Sequence, residues 1–218
     1  MFEQAYLFSI LPKLFSAAWV NLQIALLIAA ISIVMAMLVT IVRTAKIGVV
    51  NGAFNFVASF VRGTPLLVQI FLCYYVLPSF GIDLEPLTAG VLAISLNSTV
   101  FLSETMRGGL QTIDPGQIEA SLALGLRRSV IWHRVLLPQL LIRILPLLVN
   151  ELTIIIKGTA LLSVITVVEV MRTAQQLAAA SFRPFESLLG AGLVFLVLNV
   201  FFILLASVLE TRLQKRAT

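Results

Sequence analysis

Charge is scarce in this chain. Of its 218 residues, 11% are Asp, Glu, Lys or Arg, against a hydrophobic share of 60%. A domain folded in water must wet its outside, and so little polar surface excludes a water-soluble globule and leaves the lipid bilayer as the solvent. Cysteine is nearly missing as well. Cys73 is the single one, which excludes an internal disulfide and a multi-cysteine metal site and reads as a small apolar residue within a span. His133 is the single histidine, so no second imidazole can complete a metal centre. The Gly-x-x-x-x-Gly-Lys-Ser/Thr phosphate loop is absent, as are His-Glu-x-x-His, Gly-x-Ser-x-Gly and paired catalytic carboxylates. An intramembrane enzyme therefore has no support, and ATP is not bound in this chain in the usual way. No basic leader opens the sequence, where Glu3 and Gln4 stand. No internal repeat, heptad array or low-complexity tract divides it, so residues 1–218 read as one domain.

What is present is a series of long apolar runs. A helix needs roughly 20 apolar residues to cross about 30 Å of hydrocarbon. Residues 22–42, 64–80, 88–106 and 188–209 meet that length or nearly so; 138–156 does too, although it carries Arg143, Pro146 and Glu151. The reading is an all-α, polytopic integral membrane protein with five transmembrane helices. Residues 48–61, interrupted by Asn51, Gly52 and Asn55, suit an amphipathic helix lying at the interface. Residues 160–170 are apolar but half a span long, and 171–182 are small and polar. Two readings stay open there: a re-entrant or broken helix buried in protein, or a helical hairpin on the outer surface.

The net charge of +5 reads as loop orientation, not as nucleic-acid binding. With the N-terminus outside, Arg43, Lys46, Arg62, Arg107, Arg127, Arg128, Arg134, Arg143, Arg212, Lys215 and Arg216 are cytoplasmic, 11 of the 15 basic residues. The loop 78–86 has only Asp83 and Glu85, which suits an outer face. The expected topology is N-terminus out, C-terminus in.

The longest polar interruption covers about 110–137. It opens on a turn former, Asp114-Pro115-Gly116, followed by a helix of about two turns, roughly 12 Å, over 117–124. Gly125 is free to take φ > 0 and end it, so that 126–134 starts a second helix in a new direction. Leu137-Pro138 marks re-entry into the membrane. The order Glu119-Ala120-Ser121, three residues, Gly125, nine residues, Val135, one residue, Leu137-Pro138 resembles the cytoplasmic coupling loop of ABC-importer permeases. Further motifs are similar to the polar amino-acid (histidine/glutamine-type) branch of that family. These are Arg62-Gly63-Thr64-Pro65-Leu66-Leu67-Val68-Gln69, Glu104-Thr105-Met106-Arg107-Gly108-Gly109, Asp114-Pro115-Gly116-Gln117, Asn150-Glu151 and Lys157-Gly158-Thr159-Ala160-Leu161. Ser121 replaces the usual second Ala, Val135 replaces Ile, and Ser98-Thr99-Val100-Phe101 stands where an Ala-Tyr pair is common.

The resemblance implies a type I transmembrane subunit whose short loop helix docks on an ABC ATPase through Gln117, Glu119, Ala120, Ser121, Gly125 and Pro138. It also implies a second permease subunit, identical or paralogous, an extracytoplasmic solute-binding protein, and a place in the bacterial inner membrane. ATP would be bound by the partner ATPase, and this chain would hold no cofactor. His133 would be solvated or face the ATPase. A gradient-driven secondary transporter using Glu104 and Glu151 is the alternative, but it calls for inverted repeats, and five spans do not divide evenly.

The spans also carry polar candidates. Glu151 lies over a dozen residues into 138–156, near mid-membrane, where a carboxylate needs a cavity or a cationic partner. A cationic substrate group, an ion pair with Arg143, or interhelical pairing with Lys157 of a partner subunit would each serve. Asn97, Thr159 and Lys157 complete the expected substrate path, although Asn97 also suits interhelical bonding. Glu104 and Arg107, three apart, are expected to pair on one helix face, and Thr64-Pro65 reads as a helix start with Thr64 as cap. The topology is tested by single cysteines at Ile82 and Gln214 in a Cys73→Ala background. On intact spheroplasts an impermeant thiol reagent is expected to label the first and spare the second; the reverse pattern would refute the orientation.

Overall fold

The structure, a computed structural model, describes residues 3–44 and 47–217, with side chains up to residue 208. Lys46 lies outside the described residues, as do the side chains of Arg212, Lys215 and Arg216. The described residues form helices and no strand: α1 (Gln4–Thr44), α2 (Gly48–Gly63), α3 (Leu66–Phe80), α4 (Pro86–Gln111), α5 (Pro115–Ala123), α6 (Arg128–Ile165), α7 (Val170–Ser181) and α8 (Pro184–Ala217). Four of these, α1, α4, α6 and α8, are long and apolar enough to cross a membrane alone. Helices α2 and α3 join at 112° and meet that criterion only as a pair, as a broken span or a re-entrant segment, which brings the candidate spans to at most five.

The first span is longer than 22–42, because the helix already begins at Gln4. Lys13, Ser16 and Asn21 hide it in a hydropathy reading. Leu7, Ile10, Leu14 and Ala18 nonetheless recur at three- and four-residue spacing, and all are buried. Ile10, Leu14 and Ala18 pack with Val170, Ala174, Ala191 and Val194 of α7 and α8. Pro12 sits exposed on the other side, where its missing N–H costs one intrahelical bond.

The fifth expected span, 138–156, is likewise only the middle of α6. The second helix expected over 126–134 does start, at Arg128, but it does not end at Leu137-Pro138 and runs on through that pair as one span. Pro138 has no N–H to return to the preceding turn, and the helix absorbs it by widening into a π turn at Trp132–Leu136, with Leu137 N–H donating to Trp132 O. The same device precedes Pro78, where a π turn at Leu72–Val76 carries Leu77 N–H to Leu72 O. At its C-terminal end α6 tightens into 3₁₀ turns over Thr159–Ile165 and stops at Thr166, a β-branched residue at φ 70°. One side of the half-length apolar run is therefore buried in protein, with Leu162, Ile165 and Val170 fully covered, while Val164 and Val168 are exposed.

Helix α4 packs along α1 and α6, and α8 closes the bundle against α1, α6 and α7. The central core joins Ile24, Ile28, Ile94, Ile155, Ile156 and Leu162. A second core nearer the loop side joins Ala36, Leu102, Met106, Leu140 and Ile144. Lipid tails are as apolar as these side chains, so close packing, not exclusion from water, holds the helices together. Gly109 shows how close: a Cβ there would lie 2.7 Å from Ile144 Cγ2 and 2.8 Å from Leu140 Cδ1.

Thr64 does not cap α3. Pro65 occupies the cap position, and the Thr64 hydroxyl turns back to donate to Phe60 O at 2.8 Å. The bend is held by Gln69, whose Nε2 donates to Val61 O at 2.9 Å and to Thr64 O at 3.1 Å. This side chain ties the carbonyls left open where α2 ends.

Candidate functional site

The loop between α4 and α6 projects a short, braced helix. Asp114 caps α5 by accepting from Gly116 N–H at 2.8 Å, and Pro115 fills the first turn. Helix α5 spans Pro115–Ala123, shifted by two residues at its start from the expected 117–124. Its end is a Schellman motif. Gly125 sits at φ 71°, Gly125 N–H donates to Leu122 O at 2.9 Å, and Leu126 N–H donates to Ser121 O at 3.1 Å. Ser121 is buried and donates to Gln117 O at 2.7 Å. Gln117 Oε1 accepts from Gln139 Nε2 at 2.6 Å, which ties α5 to the first turns after Pro138. Glu119, Ala120 and Leu124 face outward. Glu119, Ala120 and Leu124 thus form an exposed ledge on a support held at Gln117, Ser121 and Gly125.

Glu151 lies half-buried on α6, against the Ser98 hydroxyl of α4. It forms part of the wall of a groove of about 370 Å³ between α1, α4 and α6, lined otherwise by apolar side chains such as Leu26, Ile33 and Leu102. None of the three ion pairs among the described residues uses Glu151, Lys157 or Arg143. The Arg143–Glu151 pair is not formed, because Arg143 donates to Thr112 O and Thr112 Oγ1 in the loop before α5. Lys157 is exposed, and with Arg143 and Asn150 it recurs every seven residues along the uncovered side of α6. Asn97 and Thr159 have other partners. Asn97 Nδ2 donates to Gln69 Oε1 at 3.0 Å. Thr159 Oγ1 accepts from Asn21 Nδ2 at 2.8 Å and donates to Ile156 O at 2.7 Å.

Two polar nodes were missed by sequence reasoning. Asn21 and Glu169, both fully buried, join α1, α6 and α7. Asn21 Nδ2 donates to Glu169 Oε2 at 2.9 Å as well as to Thr159, and Asn21 Oδ1 accepts from Val170 N–H at 3.0 Å. Glu169 caps α7 through Met171 N–H at 2.9 Å and Arg172 N–H at 2.8 Å. The available signal was an Asn in an apolar stretch and an acid ending a half-length apolar run. Near the other end of α1, the expected Glu104–Arg107 pair is present at 2.8 Å and gains Arg43, 2.5 Å from Glu104. Arg43 also stacks 4.1 Å over the Phe54 ring and donates to Asn55 Oδ1 at 3.2 Å, strapping α2 to the bundle.

Residues 31–215 match the family described as binding-protein-dependent transport system inner membrane component. The chain belongs to this family. Its relatives include a probable amino-acid ABC transporter permease protein, y4tG, of Sinorhizobium fredii, 34% identical over 98% of this chain and 93% of that protein. The arginine transport system permease protein ArtQ of Bacillus subtilis is 33% identical over 94% of each chain. Among solved structures, one described as an amino acid ABC transporter with histidines superposes with a TM-score of 0.88 at 30% identity, covering 97% of this chain and 99% of that one. The chain is thus a multi-pass ABC transport permease, a transport component that works with an ABC ATPase, and the gradient-driven alternative falls away.

The Asn21 node yields a stability test. Hydrogen bonds within membranes average about 0.6 kcal/mol, but leaving a buried carboxylate and a buried N–H short of partners costs about 1–3 kcal/mol for each group. Asn21→Leu is therefore expected to lower the melting temperature of the purified complex by several degrees. An unchanged melting temperature would show that the node does not hold the fold.

Proposed function

We propose that this permease imports a polar amino acid across the bacterial inner membrane by alternating access. It works beside a second permease, identical or paralogous, ABC ATPases that bind the ATP, and an extracytoplasmic binding protein. The observation that carries the reading is the Schellman-terminated α5 with its outward Glu119-Ala120 ledge, set in a chain that matches amino-acid permeases along nearly its whole length. Closure of the ATPases would push on α5, and the anchors at Gln117, Ser121 and Gly125 would pass that push to α6. The ledge is expected to face the cytoplasm and the Asn21–Glu169 node to lie toward the outer side.

Within the membrane, Glu151 and Lys157 lie on the same helix and take part in none of the ion pairs among the described residues, and Arg143 of that helix is engaged by Thr112 instead. Glu151 and Lys157 stand six residues apart, about 9 Å along the axis. An amino acid carries the opposite charge at each end, so Glu151 suits its ammonium or a cationic side chain and Lys157 its carboxylate. Asn97 and Thr159 contribute by fixing the flanking helices. A basic substrate is favoured by the arginine named for one relative and the histidines named for the matched structure.

In liposomes loaded with ATP, the complex of permease, ATPase and binding protein is expected to accumulate amino acid, unaffected by ionophores that collapse ion gradients. Uptake that ionophores abolish would overturn ATP coupling. Gly125→Val forces a β-branched residue into the left-handed region at a cost of about 1–2 kcal/mol, and Glu119→Lys reverses the charge on the ledge. Both variants are expected to insert normally and to lose or uncouple transport; normal uptake by both at parental expression would sink the coupling role of α5.

Glu151→Gln keeps the shape and removes the charge. The expected variant assembles and hydrolyses ATP when the binding protein docks, yet transports cationic amino acids worst. A stable complex transporting at the parental rate would remove Glu151 from the substrate path.

A further inference from the structure

The inner end of the bundle carries two adjoining grooves that the transport reading leaves unused. One, of about 340 Å³, runs between α5 and the start of α6 and includes Ile118, Leu122, Arg128 and Trp132. The other, of about 300 Å³, lies across the Trp132 ring and includes Met37, Ile41, Ser129 and His133. Met37 and Ile41 belong to the last turns of a membrane-spanning helix whose neighbours Leu38 and Val42 are exposed. The second groove is thus continuous with the exposed apolar side of that span at its Met37 and Ile41 edge and with the polar Ser129 and His133 at the other.

Charge decides what fits. Between Glu119 and Glu151 the chain has no acidic residue and four arginines, Arg127, Arg128, Arg134 and Arg143. Arg143 is engaged by Thr112, whereas Arg127, Arg128 and Arg134 are exposed and take part in none of the ion pairs among the described residues. A Trp at the boundary between apolar walls and uncompensated cations is the arrangement that holds an amphiphile with an anionic head, since basic pockets between helices on the cytoplasmic side attract such headgroups.

We propose that these paired grooves bind one anionic phospholipid of the inner leaflet. Its phosphate lies against Arg128, with Ser129 and His133 as hydrogen-bonding partners and Arg127 adding to the attraction. Its acyl chain follows Met37 and Ile41. Because Ile118 and Leu122 of α5 share the first groove with Arg128, the lipid would touch the helix that meets the ATPase, and headgroup charge would act on the stiffness of that contact. A soluble protein partner does not account for a groove walled by the membrane-embedded part of α1.

The test reads lipid retention and so is independent of transport. The intact complex is purified from mixed phosphatidylglycerol and phosphatidylcholine, stripped progressively in detergent, and its retained lipids are counted by native mass spectrometry. The parent is expected to keep phosphatidylglycerol in preference. Arg128→Gln and Arg127→Gln/Arg128→Gln are expected to lose that preference by roughly fivefold for each cation removed, while Lys13→Gln, an exposed cation elsewhere on α1, leaves it intact. No preference in the parent, or undiminished preference in Arg128→Gln, would overturn the proposal. So would loss of the ATPase with lipid retention unchanged, which would assign the grooves to a protein contact.

Discussion

A polar group placed in hydrocarbon must find its partner inside the protein, and that requirement fixes where these helices meet. Apolar side chains gain little by touching one another when the alternative is lipid, so they do not select one helix arrangement from many. The selection falls to a few polar links, each joining segments remote in sequence. Asn21 reaches Thr159 and Glu169, Asn97 reaches Gln69, and Arg43 reaches Glu104. Once these are made, the small residues between them let backbones approach, as at Gly109, and the isoleucines and leucines fill what remains.

The same requirement shapes the irregular stretches. A proline that removes a backbone donor is compensated by a π turn immediately before it, at Pro78 and at Pro138. Where α2 ends inside the assembly, the Gln69 amide takes up the open carbonyls. Where α7 begins, Glu169 accepts from two of its first N–H groups. Departures from regular helix therefore occur where a side chain or a wider turn completes the hydrogen bonding.

Much of this was legible beforehand, for identifiable reasons. Span count and helix class follow from apolar length. The end of α5 followed from one glycine, because only a residue tolerant of φ > 0 makes that turn without strain. The Glu104–Arg107 pair followed from helical spacing. The full extent of α1 did not, since its first half carries polar residues among Leu7, Ile10 and Leu14 and becomes a core element only once α7 and α8 cover it. The continuity of α6 was hidden because Pro138 is a breaker in water-soluble helices, and a π turn has no local signature. Glu169 was invisible as a partner of Asn21, since 148 residues separate them and only the fold brings them together.

That continuity has a mechanical consequence. From Arg128 to Ile165, α6 is a single 38-residue rod, roughly 57 Å long at ordinary helical rise. It is gripped by α5 about three turns in from one end, through Gln139, and by the Asn21–Glu169 node near the other end, through Thr159. Tilting such a lever by about 10° around its midpoint displaces each tip by roughly 5 Å, in opposite directions, with no hydrogen bond inside it broken. Two short helices hinged at Pro138 would have dissipated that stroke in the hinge.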